Sequence, residues 1–170
     1  NSSQDGAGGE IDYQPGVPLP LPEAIKLDFP EFEHIVLTTD HYGETLFTIN
    51  PESDQPQYFE LNDNRFVYAD GSYLKTFTYD WIEGNEDLAL ESPNKVVISR
   101  SVADKFFPGG NALGQTILFN KNTSFEISGI VEDPPKNSDM PFDVIFSLAT
   151  QNKRITNGSW NSVSSGDQCY

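Results

Sequence analysis

The sequence predicts an α+β fold in which mixed sheets are built from hairpins and one strand-helix unit. Aromatic residues make up 12% of the 170 residues, and Phe and Tyr far outnumber the single Met, a composition typical of sheets. Short apolar runs recur between turn residues, which predicts strands joined by hairpins. One of these runs, at residues 95–98, passes directly into a helical pattern. The length allows one ordinary domain or two small lobes.

The first third of the chain predicts a linker, a helix and two hairpins. Residues 1–20 are rich in Gly, Ser and Pro and are predicted to be a flexible linker. A short helix should follow, because Pro22 is tolerated in a first helical turn and Phe29-Pro30 stops the helix. The two hairpins are predicted from four strands, at residues 33–39 with 45–49 and at 57–61 with 65–69.

Two helices and a third hairpin are predicted next. Asp70 should cap a helix whose apolar face, Tyr73, Leu74 and Phe77, is extended by Trp81 and Ile82 until Gly84 breaks it. Residues 95–98 read as a buried strand, and Ser99 should cap the helix that follows. We expect the apolar stripe of this helix to pack against that strand; it consists of Val102, Ala103, Phe106 and Phe107. The third hairpin joins residues 115–120 to 124–131.

A loop with two adjacent prolines separates this hairpin from the last predicted strand. Paired prolines remove backbone donors and fix φ, so the loop is neither helix nor inner strand. The strand after it, at 142–148, has the clearest alternating pattern in the chain. We predict a rigid connector between two lobes, and the alternative is a structural loop that ends a strand. The connector residues are Asp133, Pro134, Pro135, Asn137 and Ser138.

The charge of the chain limits its partners. It has 26 acidic and 10 basic residues, a formal net charge of −16, and residues 1–91 contain 19 of the acids and 3 of the bases. Such a surface repels phosphate backbones and anionic headgroups, which argues against nucleic acid binding and peripheral membrane attachment. A solvated soluble surface explains the acidity most simply, and the alternative is a surface that binds cations or basic peptides.

The residue types that carry chemistry form no recognisable constellation. His34 and His41 are seven residues apart without further ligands at metal-binding spacing. Cys169 has no neighbouring His, and residues 108–110 lack the Lys-Ser/Thr of a phosphate loop. We therefore predict no catalytic, cofactor-binding or metal site, no cofactor and no enzyme activity. No apolar run approaches the roughly 18 residues of a membrane helix.

Four segments, taken in order, resemble the MacB-like periplasmic core domain of FtsX-type ABC transporter permeases. They cover about residues 22 to 148, and two features depart from the family pattern. Asp139 stands where many relatives have His, and the family domain normally continues beyond position 170. The segments are FPEFE at 29–33, YADGSYLKTF at 68–77 with Gly84, the run from VVIS at 96–99 through 106–107 to LGQTI at 113–117, and ISGIVEDPPKNS at 127–138 with Phe142-Asp143.

The resemblance implies an organisation and a function. Residues 21–170 would form a MacB-like periplasmic core domain of two small α/β lobes, truncated at its C-terminal end, and residues 1–20 would follow a transmembrane helix outside the sequence. The domain would lie on the periplasmic side of the bacterial inner membrane and relay ATP-driven motion of the membrane helices to an envelope substrate or partner.

Partners follow from the same resemblance. They are a cytoplasmic ABC ATPase acting through the full permease, an envelope protein and a second permease copy. Two other readings of the sequence stay open: a tethered envelope binding protein, and a glycan-processing enzyme that uses two of the many acids.

Overall fold

The computed structural model describes residues 21–32, 35–36, 38–39, 45–61, 65–135, 137–138 and 141–151. The predicted linker, both histidines and Cys169 lie outside these residues. The helices are α1 (Leu21–Asp28), α2 (Gly71–Thr76) and α3 (Arg100–Phe106), and a 3₁₀ turn spans Leu148–Gln151. The strands are β1 (Thr38–Thr39), β2 (Leu46–Ile49), β3 (Gln57–Glu60), β4 (Phe66–Ala69), β5 (Trp81–Gly84), β6 (Lys95–Ser99), β7 (Thr116–Phe119), β8 (Thr123–Val131) and β9 (Val144–Ser147).

The strands of the described residues join in one mixed sheet. Its order is β1-β4-β9-β6-β8-β7-β2-β3, and β5 pairs with β8 beside this path. The pairs β4 with β9 and β6 with β8 are parallel, while β6 and β9 are antiparallel. The predicted mixed α+β class is confirmed. Because β8 and β9 flank β6 in the same sheet, the loop between them joins two strands of one sheet, and its role between two lobes stays a prediction.

Apolar clusters cover both faces of the sheet, which explains why its central strands read as continuous apolar runs. On one face, α3 packs Val102, Ala103 and Phe106 against the sheet, as predicted, and Phe107 is half-buried. On the other face, Tyr73 and Leu74 of α2 join a second buried cluster. The alternation is visible in β4, where Phe66 and Tyr68 belong to the first cluster and Val67 and Ala69 to the second.

The predicted helix caps are present, and the third hairpin is confirmed. The Asp70 carboxylate accepts a hydrogen bond from the Ser72 N–H at the start of α2, and the Ser99 hydroxyl accepts one from the Val102 N–H at the start of α3. β7 and β8 form the antiparallel pair expected at residues 115–131. These elements depend on signals a few residues apart, which explains why the sequence locates them.

The first two predicted hairpins are wrong. β1 pairs with β4 instead of β2, and β3 pairs with β2 instead of β4. The hairpin in this region is therefore β2-β3, closed across residues 50–56. Asn50, at φ 51°, supplies the left-handed conformation that this turn requires. The alternating pattern identifies strands but carries no information on their partners.

The prediction that Trp81 and Ile82 extend the preceding helix is also wrong. Trp81–Gly84 forms strand β5, which pairs antiparallel with β8 across a bulge. Trp81 lies over Gly129, where a Cβ would come within 2.5 Å of its indole ring. β8 also bulges against β6, between Val96 and Val97 of β6. The hydroxyl of Ser128 in β8 donates to the carbonyl of Ala89 at 2.6 Å and so anchors the segment after β5.

No helix in the described ranges is both long and apolar enough to cross a bilayer.

Candidate functional site

Polar residues lie together at one edge of the sheet, because two strands end there and two others begin there. The parallel strands β6 and β8 both end there, with Ser99 opposite Val131. β9 and β4 begin at the same edge, since Ile98 lies opposite Val144 and β4 runs parallel to β9. The carboxyl ends of parallel strands meet at one edge of a sheet, which is where α/β folds commonly place binding groups. We call this region the charged edge; it comprises Arg65, Asp80, Arg100, Ser101, Glu132, Asp133 and Asp143.

Two contacts attach the residues after β8 to the start of α3. The Arg100 guanidinium donates to the Glu132 carboxylate in a bidentate pair at 2.8 and 2.5 Å. The Asp133 carboxylate accepts a hydrogen bond from the Ser101 N–H at 2.9 Å and one from the Ser101 hydroxyl at 2.5 Å. A bidentate pair has a more restricted geometry than a single contact. The first residue of the predicted connector is thus held in a defined position on α3.

A second bidentate pair ties together the starts of β4 and β9. The Arg65 guanidinium donates to both carboxylate oxygens of Asp143, at 2.6 and 2.7 Å. The backbone of Asp143 also bonds on both sides, donating to the Arg65 carbonyl and accepting from the Ser99 N–H. Asp143 is 14% exposed, so water screens this pair less than the pair formed by Arg100. Asp143 therefore connects three strands at the charged edge.

A cleft of about 290 Å³ opens at the charged edge. One wall consists of Tyr73 and residues 77–80, between the end of α2 and β5. The other wall consists of residues 132–135 and Ser138. The Glu132 N–H donates to the Asp80 carbonyl at 2.8 Å and so joins the two lining segments. The cleft thus combines aromatic rings, two prolines and three carboxylates.

The structure brings four of the five predicted connector residues into this cleft. Asp133, Pro134, Pro135 and Ser138 line it, and the Ser138 N–H donates to the Pro135 carbonyl at 3.0 Å, which forms a turn. Asn137 lies in that turn but does not line the cleft. The loop is therefore held at its start by Ser101 and folded back on itself at its end.

Sequence reasoning misses the partners of this loop. No sequence signal singles out Asp80 or Tyr79, and Arg100 stands out only as part of a helix. Arg100 and Ser101 follow one strand, while Glu132 and Asp133 follow another. Parallel pairing of those strands places the four residues together, but the sequence pattern does not reveal which strands pair.

The acids that contact α3 are held in their ionised form. The hydrogen bonds from Arg100 lower the pKa of Glu132. Partial burial raises the pKa of Asp133, but the hydrogen bonds from Ser101 outweigh burial, so that the pKa lies below its ordinary value. A general acid in glycoside hydrolysis needs a raised pKa, which neither carboxylate has. The glycan-processing reading gains no support from this pair.

The two tyrosines of the cleft stay protonated. Their hydroxyl oxygens are 3.0 Å apart and share a hydrogen bond. Burial raises the pKa of Tyr73, and burial together with the hydrogen bond to Tyr73 raises the pKa of Tyr79. In the part of the chain that the structure describes, no group of three His, Cys, Asp or Glu residues is arranged to hold a metal ion. The cleft is therefore lined by two neutral tyrosine hydroxyls and by the ionised acids Glu132 and Asp133.

The contact between Asp133 and α3 should depend on pH. Because its folded-state pKa is lowered, its stabilisation is complete above the unfolded pKa near 4 and is lost as the pH falls through the folded value. We expect Asp133→Ala to lower the free energy of unfolding by about 0.5–1 kcal/mol at pH 7, the lower range for loss of a helix-capping side chain at an exposed site. At pH 3, below the unfolded pKa, the difference from the parent should be smaller than at pH 7. Urea denaturation at both pH values measures it.

Two variants control this measurement. Ser101→Ala removes the hydroxyl donor and should lose part of the same pH-dependent difference. Asp54→Ala removes an exposed carboxylate outside the cleft and should show little difference at either pH. An Asp133→Ala difference that is the same at pH 7 and pH 3 would contradict the assignment.

Comparison with known proteins identifies the family. The sequence model of the MacB-like periplasmic core domain matches residues 2–166. The chain belongs to this family. A MacB-like periplasmic core domain is part of an ABC transporter permease, and the family is not one of enzymes. No individually curated protein matches the sequence.

Solved structures share the fold of this MacB-like domain. A domain of a putative permease protein from Porphyromonas gingivalis has a TM-score of 0.68 at 23% identity, covering 91% of this chain and 66% of that one. The periplasmic region of MacB from Actinobacillus actinomycetemcomitans has a TM-score of 0.58 at 19% identity, with the same coverage. The extracellular domain of the ABC-type transporter YknZ from Gram-positive bacteria has a TM-score of 0.58 at 11% identity, covering 95% and 81%. The chain thus spans 66% of the length of the first two structures.

Proposed function

We propose that this MacB-like domain relays ATP-driven motion of a permease's membrane helices to a substrate or partner protein outside the inner membrane. Membership of the permease family supports this proposal. The full permease would work with a cytoplasmic ABC ATPase and could pair with a second permease copy, and this domain would lie on the periplasmic side. Residues 1–20 would link the domain to a transmembrane helix, and residues 21–170 would form the core domain.

The observation that carries the proposal is the way the loop after β8 is held. A relay has to transmit displacement without absorbing it, so its connecting segments must keep a fixed geometry. The loop begins at the Glu132 and Asp133 contacts with α3 and continues through Pro134 and Pro135, whose rings fix φ. It then reaches β9, whose start is held by the Asp143 pair with Arg65. Movement of α3 would therefore be passed to the start of this loop, through the two residues after β8 that contact α3.

The test replaces both prolines in the full permease. We expect Pro134→Ala with Pro135→Ala to leave the melting temperature of the domain within a few degrees, because Pro134 is half-buried and Pro135 exposed, away from the buried core. Transport-coupled activity in cells should fall, because the alanines allow φ values that the prolines exclude. Thermal unfolding of the purified domain and the cellular assay are measured on the same variants.

Pro108→Ala is the matched control, since Pro108 is an exposed proline after α3 and lies outside the connector. It should change neither quantity. Full activity of the double variant, or a fall explained by unfolding of the domain, would show that the loop is only structural.

The alternative of a tethered envelope binding protein is favoured by one observation, the open cleft of about 290 Å³ beside the connector. A permease paired with an ATPase that cannot hydrolyse ATP separates the two functions. A binding protein needs the cleft but no coupling to ATP hydrolysis, so its function should survive in that assembly, whereas a relay should lose its function.

A further inference from the structure

One acidic residue of the cleft has no basic partner among the described residues. Asp80 continues the pairing of β5 with β8, so it lies opposite Glu132, and both residues line the cleft. Like charges that lie opposite each other on antiparallel strands destabilise the pair. Arg100 forms an ion pair with Glu132 and also attracts Asp133, whose carboxylate bonds to Ser101. Among the described residues, no basic side chain forms an ion pair with Asp80. In the described part of the cleft, Asp80 is therefore the carboxylate without a basic partner.

The apolar lining of the cleft has flat surfaces that suit a planar cation. Phe77 is 36% exposed although it is a large apolar residue, and its ring lies 4.8 Å from that of Tyr73. Tyr79 and Pro134 are half-buried in the two facing walls. A guanidinium stacks on aromatic faces and pairs with carboxylates through two parallel hydrogen bonds, which an ammonium cannot do. The lining thus favours arginine over lysine.

The size of the cleft separates a side chain from a larger ligand. Pockets for drug-sized ligands usually have volumes of about 300–1,000 Å³ and enclose most of the ligand. This cleft, at about 290 Å³, lies at the lower end of that range and is open to solvent, so it would enclose a free ligand incompletely. One long side chain on the surface of another protein fits the volume better than a free small molecule does.

We propose that this cleft binds an arginine side chain presented by a partner protein. The guanidinium would pair with Asp80 and stack between Phe77 and Pro134. The charge complementarity follows from Asp80, which has no ion pair among the described residues, and from the net charge of −16 of the whole chain. The inference rests on the proposed function in one respect, that an envelope protein supplies the arginine.

The test titrates the isotopically labelled 170-residue chain with acetyl-Gly-Arg-Gly-amide and follows the backbone amide signals by NMR. The control peptide carries citrulline, which has the shape of arginine but no charge. We expect weak saturable binding of the arginine peptide, with shifts concentrated at residues 77–80 and 132–135, and at least tenfold weaker binding of the citrulline peptide. Asp80→Asn should weaken binding of the arginine peptide about fivefold.

Two further variants distinguish specific binding in the cleft from general electrostatic attraction to the acidic chain. Asp54→Asn removes the same charge from an exposed loop position outside the cleft and should leave the affinity unchanged. Phe77→Leu keeps an apolar contact with Tyr73 but removes the aromatic face, and it should weaken binding severalfold.

Three outcomes would overturn the proposal. The first is equal affinity for the arginine and the citrulline peptide. The second is amide shifts spread over the acidic surface, together with equal effects of Asp80→Asn and Asp54→Asn on the affinity. The third is the absence of any amide shift at millimolar arginine peptide. None of these measurements involves transport, so failure here would leave the relay proposal standing.

Discussion

Phe146→Ala is expected to lower the free energy of unfolding by about 3–5 kcal/mol, the range observed for removal of a fully buried aromatic ring. Phe146 lies in the central strand β9 and has no exposed surface. Four aromatic rings lie with their centroids 4.5–6.2 Å from that of Phe146, and they belong to Phe125, Phe119, Tyr68 and Phe47. Alanine would leave a cavity that these rings cannot fill, because they are fixed on strands β2, β4, β7 and β8. Urea denaturation measures the loss.

Two variants calibrate this result. Phe146→Leu keeps most of the buried apolar volume and should cost roughly 1–2 kcal/mol, which leaves a folded protein to measure if the alanine variant does not fold. Tyr58→Ala removes an aromatic ring that is 61% exposed on β3 and should cost no more than about 0.5 kcal/mol. If Phe146→Ala shifted the midpoint no more than Tyr58→Ala does, the position of the ring cluster would be wrong.

Gly84→Ala is expected to cost about 2–6 kcal/mol, because two penalties combine at this position. Gly84 has φ +102°, a conformation that costs a residue with a Cβ of order 1–3 kcal/mol. A Cβ here would also lie 2.6 Å from the Ser128 carbonyl oxygen and 2.8 Å from the Gly129 Cα, both backbone atoms of β8. Overpacking of this kind adds roughly 1–3 kcal/mol. Chemical denaturation at pH 7 measures the sum.

Two other glycines separate the two penalties. Gly110 has φ +78°, and a Cβ added there would have no atom within 4 Å, so Gly110→Ala should show the conformational cost alone, of order 1 kcal/mol. Gly71 does not have a positive φ, and a Cβ added there would have no atom within 4 Å. Gly71→Ala should therefore be close to neutral in stability. A Gly84→Ala variant as stable as Gly110→Ala would show that β5 does not pack closely on β8.

The Gly84 variant also bears on the functional site. β5 begins at the residue after Asp80, and its pairing with β8 brings the two walls of the cleft together. A variant that separates β5 from β8 should therefore also weaken binding of the arginine peptide, although Gly84 does not line the cleft. Binding that survives full loss of this pairing would place the peptide site elsewhere.

Local signals in the sequence are enough to predict several elements. The carboxylate of Asp70 and the hydroxyl of Ser99 each precede a helical pattern, and both cap helices in the structure. The β7-β8 hairpin is predictable because its two strands are separated by a short turn. The ordered motifs at residues 22–148 lead to the family, which the match over residues 2–166 confirms. In each case the residues that determine the feature are neighbours in the chain or form an ordered series.

The pairing of distant strands requires the tertiary structure. β1 and β4 are about 30 residues apart, and β4 and β9 are almost 80 apart, yet each pair is adjacent in the sheet. An alternating pattern indicates that a strand has a buried face. It does not indicate the partner strand, because every buried strand offers the same backbone donors and acceptors to a neighbour. The two predicted hairpins fail for this reason, since they assume that adjacent strands in the chain pair with each other.

The same limit applies to the cleft. Composition alone shows that the chain is acidic, and the paired prolines mark the loop at residues 133–138. Which acids remain without a cation depends on the parallel register of β6 with β8, which places Arg100 beside Glu132 and Ser101 beside Asp133. Asp80 reaches the same place through the antiparallel pairing of β5 with β8. Electrostatic compensation depends on distances of a few ångström between side chains, and long-range strand pairing sets those distances here.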